Sequence, residues 1–222
     1  MATSPARKLL ADRAYDAIKS SLQSGAYPPG TFLSERQLAS RLGMSKTPLK
    51  SALVRLESEG FLRISPQQGI VVREPSVQEV ADLFDLREAI ETFAVRRMAG
   101  HVTATDAARI RANLKEQARA VRDGDAAAAT RLDTEFHTLV CGTLGNRALS
   151  QSLALMRDKL NALILNNLTR VPERMAVSYK EHASIAAALL RGQGEAAADR
   201  VREHLDYGRQ FVLNRNRSAG GG

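Results

Sequence analysis

The chain has 222 residues, 44% of them hydrophobic and 25% charged, with a formal charge of +8. That composition excludes a fibrous or wholly disordered chain and fits one or two compact domains. No run approaches the roughly 18 apolar residues of a membrane span, the charged start leaves no signal-peptide core, and the single Cys141 excludes an intrachain disulfide and a cysteine-rich zinc site, so a soluble cytoplasmic protein with no membrane partner is expected.

The charge is unevenly spread: up to Pro75 there are 11 basic against 6 acidic residues, and beyond it 21 against 18. A basic first third favours a polyanionic partner. From Pro5 to Ser24, Leu10, Ala14, Ala17, Ile18 and Leu22 keep a helical period that ends at Gly25. After the breaker Tyr27-Pro28-Pro29-Gly30, the run Ser34-Glu35-Arg36-Gln37 predicts a second helix opened by a capping box. It stops at Gly43. Ser45 then serves as N-cap of a third helix running to about Glu59.

Two short helices joined by a glycine turn form the helix-turn-helix pattern, and the second begins with the donor-rich Ser45-Lys46-Thr47-Pro48-Leu49-Lys50. After Gly60 the period becomes alternating. Phe61 to Ser65 and Ile70 to Arg73, joined by Pro66-Gln67-Gln68-Gly69, predict a β-hairpin, the wing of a winged helix.

Pro29 to Ala39, Leu42 to Leu53 and Leu56 to Phe61 together resemble the winged-helix domain of GntR-family transcription regulators. The resemblance implies that Arg36, Ser45, Lys46, Thr47 and Lys50, with Gln68 and Gly69 at the wing tip, meet double-stranded operator DNA. This chain departs from the family in one respect: Lys46 and Lys50 stand where arginines are common. Lysine lacks the planar fork that reads guanine with two bonds.

Ser76-Val77-Gln78-Glu79 is a further capping box, and beyond it long helical patterns run to about Asn216 without strand-like alternation. The fold class expected is mainly α: a winged helix-turn-helix of three helices and a hairpin over residues 1–74, an all-helical bundle of five or six helices over 75–216, and a disordered tail at 217–222. In the first of these helices Val80, Phe84, Arg87, Glu91, Ala94 and Met98 share one stripe, which places an Arg87–Glu91 pair on an apolar face. The pair is either an internal ion pair or a fork for a ligand carboxylate.

Asp133 and His137, four residues apart, share a face with Phe136 and Val140, while His182 and His204 sit on apolar faces of later helices. Each is either a core histidine or part of a three-imidazole, one-carboxylate site for zinc, nickel, manganese or iron. Leu83 to Glu91, Asp133 to His137, Gly145-Asn146, Glu181 to Ile185 and Glu203 to Leu205 resemble the FCD effector domain of the FadR subgroup. That resemblance implies a metal held by Asp133, His137, His182 and His204, a small organic or sugar acid received by Arg87, and a homodimer, commonly a repressor. The sequence carries no HExxH, no GxSxG and no Cys/His arrangement around Cys141, so a metal-dependent hydrolase is disfavoured. A DNA-binding dimer that ignores small molecules is the other alternative.

Overall fold

The computed structural model describes residues 9–65, 69–142 and 144–219, and the chain divides into two units, Met1–Pro75 and Ser76–Gly222. In the first unit, α1 (Leu10–Gln23) buries Ala14, Tyr15, Ile18 and Leu22, the residues that set its helical period. The part of the predicted helix before Leu9 lies outside the described residues. β1 is a two-residue strand, Phe32–Leu33, too short to show alternation in the sequence. It leads into α2 (Glu35–Leu42) and α3 (Lys46–Ser58).

Gly43 joins these two helices in the left-handed conformation, φ +60°, and the amide of Met44 donates to the carbonyl of Ala39 at 3.0 Å. A glycine is suited to that turn because it has no Cβ to clash there. The capping box expected at Ser34 is not formed: Ser34 stands at the N-cap with extended backbone but makes no side-chain cap bond. Its predecessor Leu33 is already fixed by pairing with Ile70, so the strand ladder sets the helix entry. Ser45 also caps by position alone, leaving its hydroxyl out of the cap.

β2 (Leu62–Ser65) and β3 (Gly69–Val72) pair antiparallel from Leu62 opposite Val72 to Ser65 opposite Gly69, and β1 adds to the other edge of β3. The predicted hairpin is therefore part of a three-stranded sheet of order β1-β3-β2. Leu49, Ala52, Leu53 and Leu56 of α3 close the core against α1, Leu62 and Ile70. Tyr15 of α1 donates to Glu59 at 2.6 Å and carries the Arg55 guanidinium 3.7 Å above its ring, which ties α1 to the end of α3.

The described residues of the second unit form a bundle of six helices: α4 (Val77–Met98), α5 (Ala104–Asp123), α6 (Ala126–Gly142), α7 (Arg147–Arg170), α8 (Glu173–Leu190) and α9 (Gly194–Ala219). Here the capping box is real: the amide of Glu79 donates to Ser76 Oγ at 3.1 Å, and the amide of Ser76 to Glu79 Oε2 at 2.8 Å. Thr103 and Asn146 cap α5 and α7 with a single side-chain bond each, accepting from the amides of Asp106 and Leu149. α9 lies close against α4, since a Cβ on Gly208 would come within 3.3 Å of the Phe84 ring and one on Gly194 within 3.0 Å of Ala99. The tail expected over 217–222 falls partly in α9, which continues to Ala219, and partly outside the described residues. Among the described residues no helix is long and apolar enough to cross a membrane.

Candidate functional site

Of the residues predicted to meet DNA, Arg36 is exposed on α2, and Ser45, Lys46, Thr47 and Lys50 are exposed at the start of α3. Leu49, Ala52, Leu53 and Leu56 fill the opposite face, so packing fixes which side of α3 is turned outward. Pro48 does not interrupt α3, because an amide in the first helical turn has no intrahelical partner to lose. Gly69 is exposed at the start of β3, with φ +81°, and Gln68 lies outside the described residues.

In the second unit the structure brings Asp133, His137, His182 and His204 together, one donor atom from each lying within 4.8 Å of all the others. α6 supplies Asp133 and His137 one turn apart, α8 supplies His182 and α9 supplies His204. The three imidazoles are buried. His204 Nε2 lies 3.2 Å from His137 Nε2 and 3.3 Å from His182 Nε2, while Asp133 Oδ1 is 3.3 Å from His182 Nε2.

What turns these nitrogens inward is a second set of polar groups holding each Nδ1. Glu91 of α4 accepts from His137 at 2.5 Å, Gln117 of α5 from His182 at 2.8 Å, and Glu181 of α8 from His204 at 2.7 Å. The Gln117 amide is itself oriented: its Nε2 donates to Asn113 Oδ1 at 2.7 Å, and Asn113 donates to the carbonyl of Leu132. Gln117 therefore presents oxygen to His182. With every Nδ1 proton committed, each Nε2 carries a lone pair, and lone pairs 3.2 to 3.3 Å apart repel unless a cation lies between them. Two nitrogens on one tetrahedral zinc lie about 3.3 Å apart, so the donor set fits a divalent transition ion.

The electrostatics agree. Burial, reinforced by the neighbouring His204, pushes His182 down to about 3, and burial with the nearby Arg157 and Arg87 holds His137 well below its ordinary value. Both imidazoles are thus neutral at pH 7, the form that a metal ligand requires. Burial alone would raise the Asp133 carboxyl, but His137, Arg157 and His182 hold it well below the usual carboxylate range. Arg157 of α7 donates Nη2 to Asp133 Oδ2 at 2.7 Å, leaving Oδ1 toward the imidazoles. Burial likewise opposes ionisation of Glu181, yet hydrogen bonds from His204 and Arg174 bring it down to about 2.

A cavity of about 60 Å³ opens beside the cluster, lined by Arg87, Asp133, His182 and His204 among others. Arg87 is only 2% exposed; its Nε donates to Glu91 Oε1 at 2.8 Å, and its Nη2 has no hydrogen-bond partner among the described residues. The predicted ion pair is thus present and still leaves a donor at the cavity. His101 is exposed at the junction between α4 and α5. Cys141 is a buried core residue beside Ile90, Ala94, Leu153 and Met156.

Sequence reasoning missed Gln117, Glu181 and Arg157 as supports, and read Glu91 only as the partner of Arg87. One signal was available: Asn113 and Gln117 interrupt the buried stripe Ala107, Ile110, Ala120 of α5 at helical spacing. Two amides on a core-facing stripe call for partners.

Residues 10–72 match the model of the gntR family of bacterial regulatory proteins, and residues 82–207 match the FCD domain. An HTH-type transcriptional regulator of Bacillus subtilis, YdhC, is 25% identical over 194 residues, covering 87% of this chain and 86% of its own. The transcriptional repressor RspR of Escherichia coli is 26% identical over 178 residues, covering 80% and 77%. The solved structure of E. coli McbR superposes with a TM-score of 0.84 at 22% identity over 95% of this chain and all of the other, a likeness of fold. The FCD match covers more than half of the chain, and the chain belongs to the GntR family of DNA-binding transcription regulators, of the type carrying an FCD domain.

Proposed function

We propose that the chain acts as a homodimeric repressor whose affinity for a palindromic operator is set by a small organic or sugar acid bound at a metal-containing cavity of the second unit. The observation that supports this most directly is the convergence of three imidazole Nε2 atoms and one carboxylate beside a cavity that Arg87 also lines, with Arg87 Nη2 unpartnered. Asp133, His137, His182 and His204 would hold zinc, nickel, manganese or iron. Such an ion supplies a Lewis-acidic anchor for a carboxylate oxygen.

The chain's own residues do the rest. Glu91, Gln117 and Glu181 hold the imidazoles in the ligating tautomer, and Glu91 also orients Arg87 so that Nη2 is left to bind the acid. Lys46, Thr47 and Lys50 of α3 meet base edges and phosphates, Ser45 and Arg36 meet the backbone, and Gly69 with Gln68 brings the wing tip to the minor groove. Leu86 and Phe93, seven residues apart on one stripe of α4 and 47% and 49% exposed, give the bundle an apolar face for a second copy. The acid acts by differing in affinity between the operator-bound and free states.

Elemental analysis of untagged full-length protein beside a His137→Ala variant tests the site. About one transition metal per chain, lost in the variant, is expected; none in either sample after loading refutes the site and leaves a winged-helix DNA binder whose second unit is a metal-free pocket or only a dimeriser. Mobility shifts test the interface: Lys50→Ala should lose operator binding, and unchanged affinity refutes the role given to Lys50.

A further inference from the structure

The solvent side of α4 presents its side chains in an order that complements its own reverse. The inward side is fixed by packing, because Val80, Phe84, Arg87, Glu91 and Met98 are buried in the bundle. On the other side Asp82, Leu86, Ala89, Phe93 and Arg97 are exposed and recur at spacings of three and four, a single stripe about 22 Å long. An acid opens the stripe, a base closes it, and between them lie Leu86 and Phe93, 47% and 49% exposed. The neighbouring charges are satisfied within the chain: Asp85 accepts from Arg209 at 2.7 Å, and Arg96 donates to Glu195 at 2.9 Å. Asp82 receives the neutral amide of Gln78 at 2.8 Å, and among the described residues Arg97 makes no ion pair.

We infer that a second copy of the chain covers this stripe with its own α4 running antiparallel, Leu86 opposite the partner's Phe93 and Asp82 opposite the partner's Arg97. The inference rests on the homodimer reading above and gives it a register. In a twofold antiparallel pair, the numbers of facing residues share one sum; 86 with 93 and 82 with 97 share it, so a single arrangement satisfies the apolar and the charged contacts together. A parallel pairing would instead set Asp82 beside the partner's Asp82 and Arg97 beside the partner's Arg97, and like charges repel. Ala89 falls next to the twofold axis, where a side chain of one methyl group lets the two helices approach to about 8 Å.

The test is sedimentation equilibrium on the full chain, with the charges of the stripe exchanged. Asp82→Arg and Arg97→Asp each turn both symmetric ion pairs into like-charge contacts, and each should weaken dimerisation roughly tenfold or more. The double variant restores both pairs with their signs reversed and should return to within about threefold of the parent. A second measurement reads the axis directly: Ala89→Cys should form an interchain disulfide on mild oxidation, because facing positions of helices this close lie within disulfide reach. Cys141 is buried and does not compete, and Ala112→Cys, exposed on α5, should stay uncrosslinked. Single exchanges that leave dimerisation unchanged, a double variant that fails to recover, or an Ala89→Cys chain that crosslinks no better than Ala112→Cys overturns the pairing while leaving the homodimer reading intact. A parent chain that sediments as a monomer at every concentration overturns both.

Discussion

Gln117→Ala removes the oxygen that holds His182 in its ligating tautomer without touching any of the four donors. Gln117 is buried at 5% exposure on α5, and its Oε1 accepts from His182 Nδ1 at 2.8 Å. Loss of such an outer partner weakens metal binding by about 10- to 100-fold, or about 1.4 to 2.7 kcal/mol. The substitution also strands Asn113 Oδ1, which costs about 1 to 3 kcal/mol in the metal-free fold. The diagnostic quantity is therefore the rise in unfolding midpoint on adding Zn(II), not the midpoint itself. At saturating metal that rise should shrink by roughly 3 to 10 °C relative to the parent chain. Gln117→Glu, which restores an oxygen acceptor, should recover most of it. A Gln117→Ala chain whose metal-induced rise and chelator-competition affinity equal those of the parent would refute the argument that the outer oxygens set the site.

Two glycine substitutions should move stability in opposite directions in chemical denaturation. A Cβ on Gly194 would sit 3.0 Å from Ala99 Cβ and 3.3 Å from the Arg96 backbone, so Gly194→Ala should lose about 1 to 3 kcal/mol. Gly142, in α6 with open space around it, should gain about 0.5 to 1 kcal/mol as Gly142→Ala; a loss there contradicts the space the structure shows. Burial pushes the Cys141 thiol well up, with the Glu91 carboxylate adding to the shift. Native protein at pH 8 should accordingly resist a thiol-specific reagent and titrate one thiol per chain in guanidinium. Prompt modification of the folded chain would refute that burial.

The elements that depend on neighbours in the chain were readable from the sequence. Ser76 with Glu79, the left-handed Gly43, and the buried stripe from Val80 to Met98 encode their structures within a turn or two, because capping and helical periodicity act over three or four residues. The same locality misled at Ser34, where the capping pattern is present but the strand ladder at Leu33 sets the helix entry. β1 was illegible because two residues carry no alternation; only pairing with Val71 and Ile70, nearly forty positions away, makes them a strand.

For the site, the sequence by itself determined the donor types: three imidazoles, one carboxylate and an arginine, each on a helix face that must be buried. The tertiary structure decided which atoms of these residues meet. Asp133 and His137 come from α6, but the ring orientations depend on Glu91 of α4, Gln117 of α5 and Glu181 of α8, and Asp133 is turned by Arg157 of α7. A side chain's burial follows from the period of its own helix. Its hydrogen-bond partner is a property of the packed bundle, because helices distant in sequence must first be adjacent for a 2.8 Å bond to form.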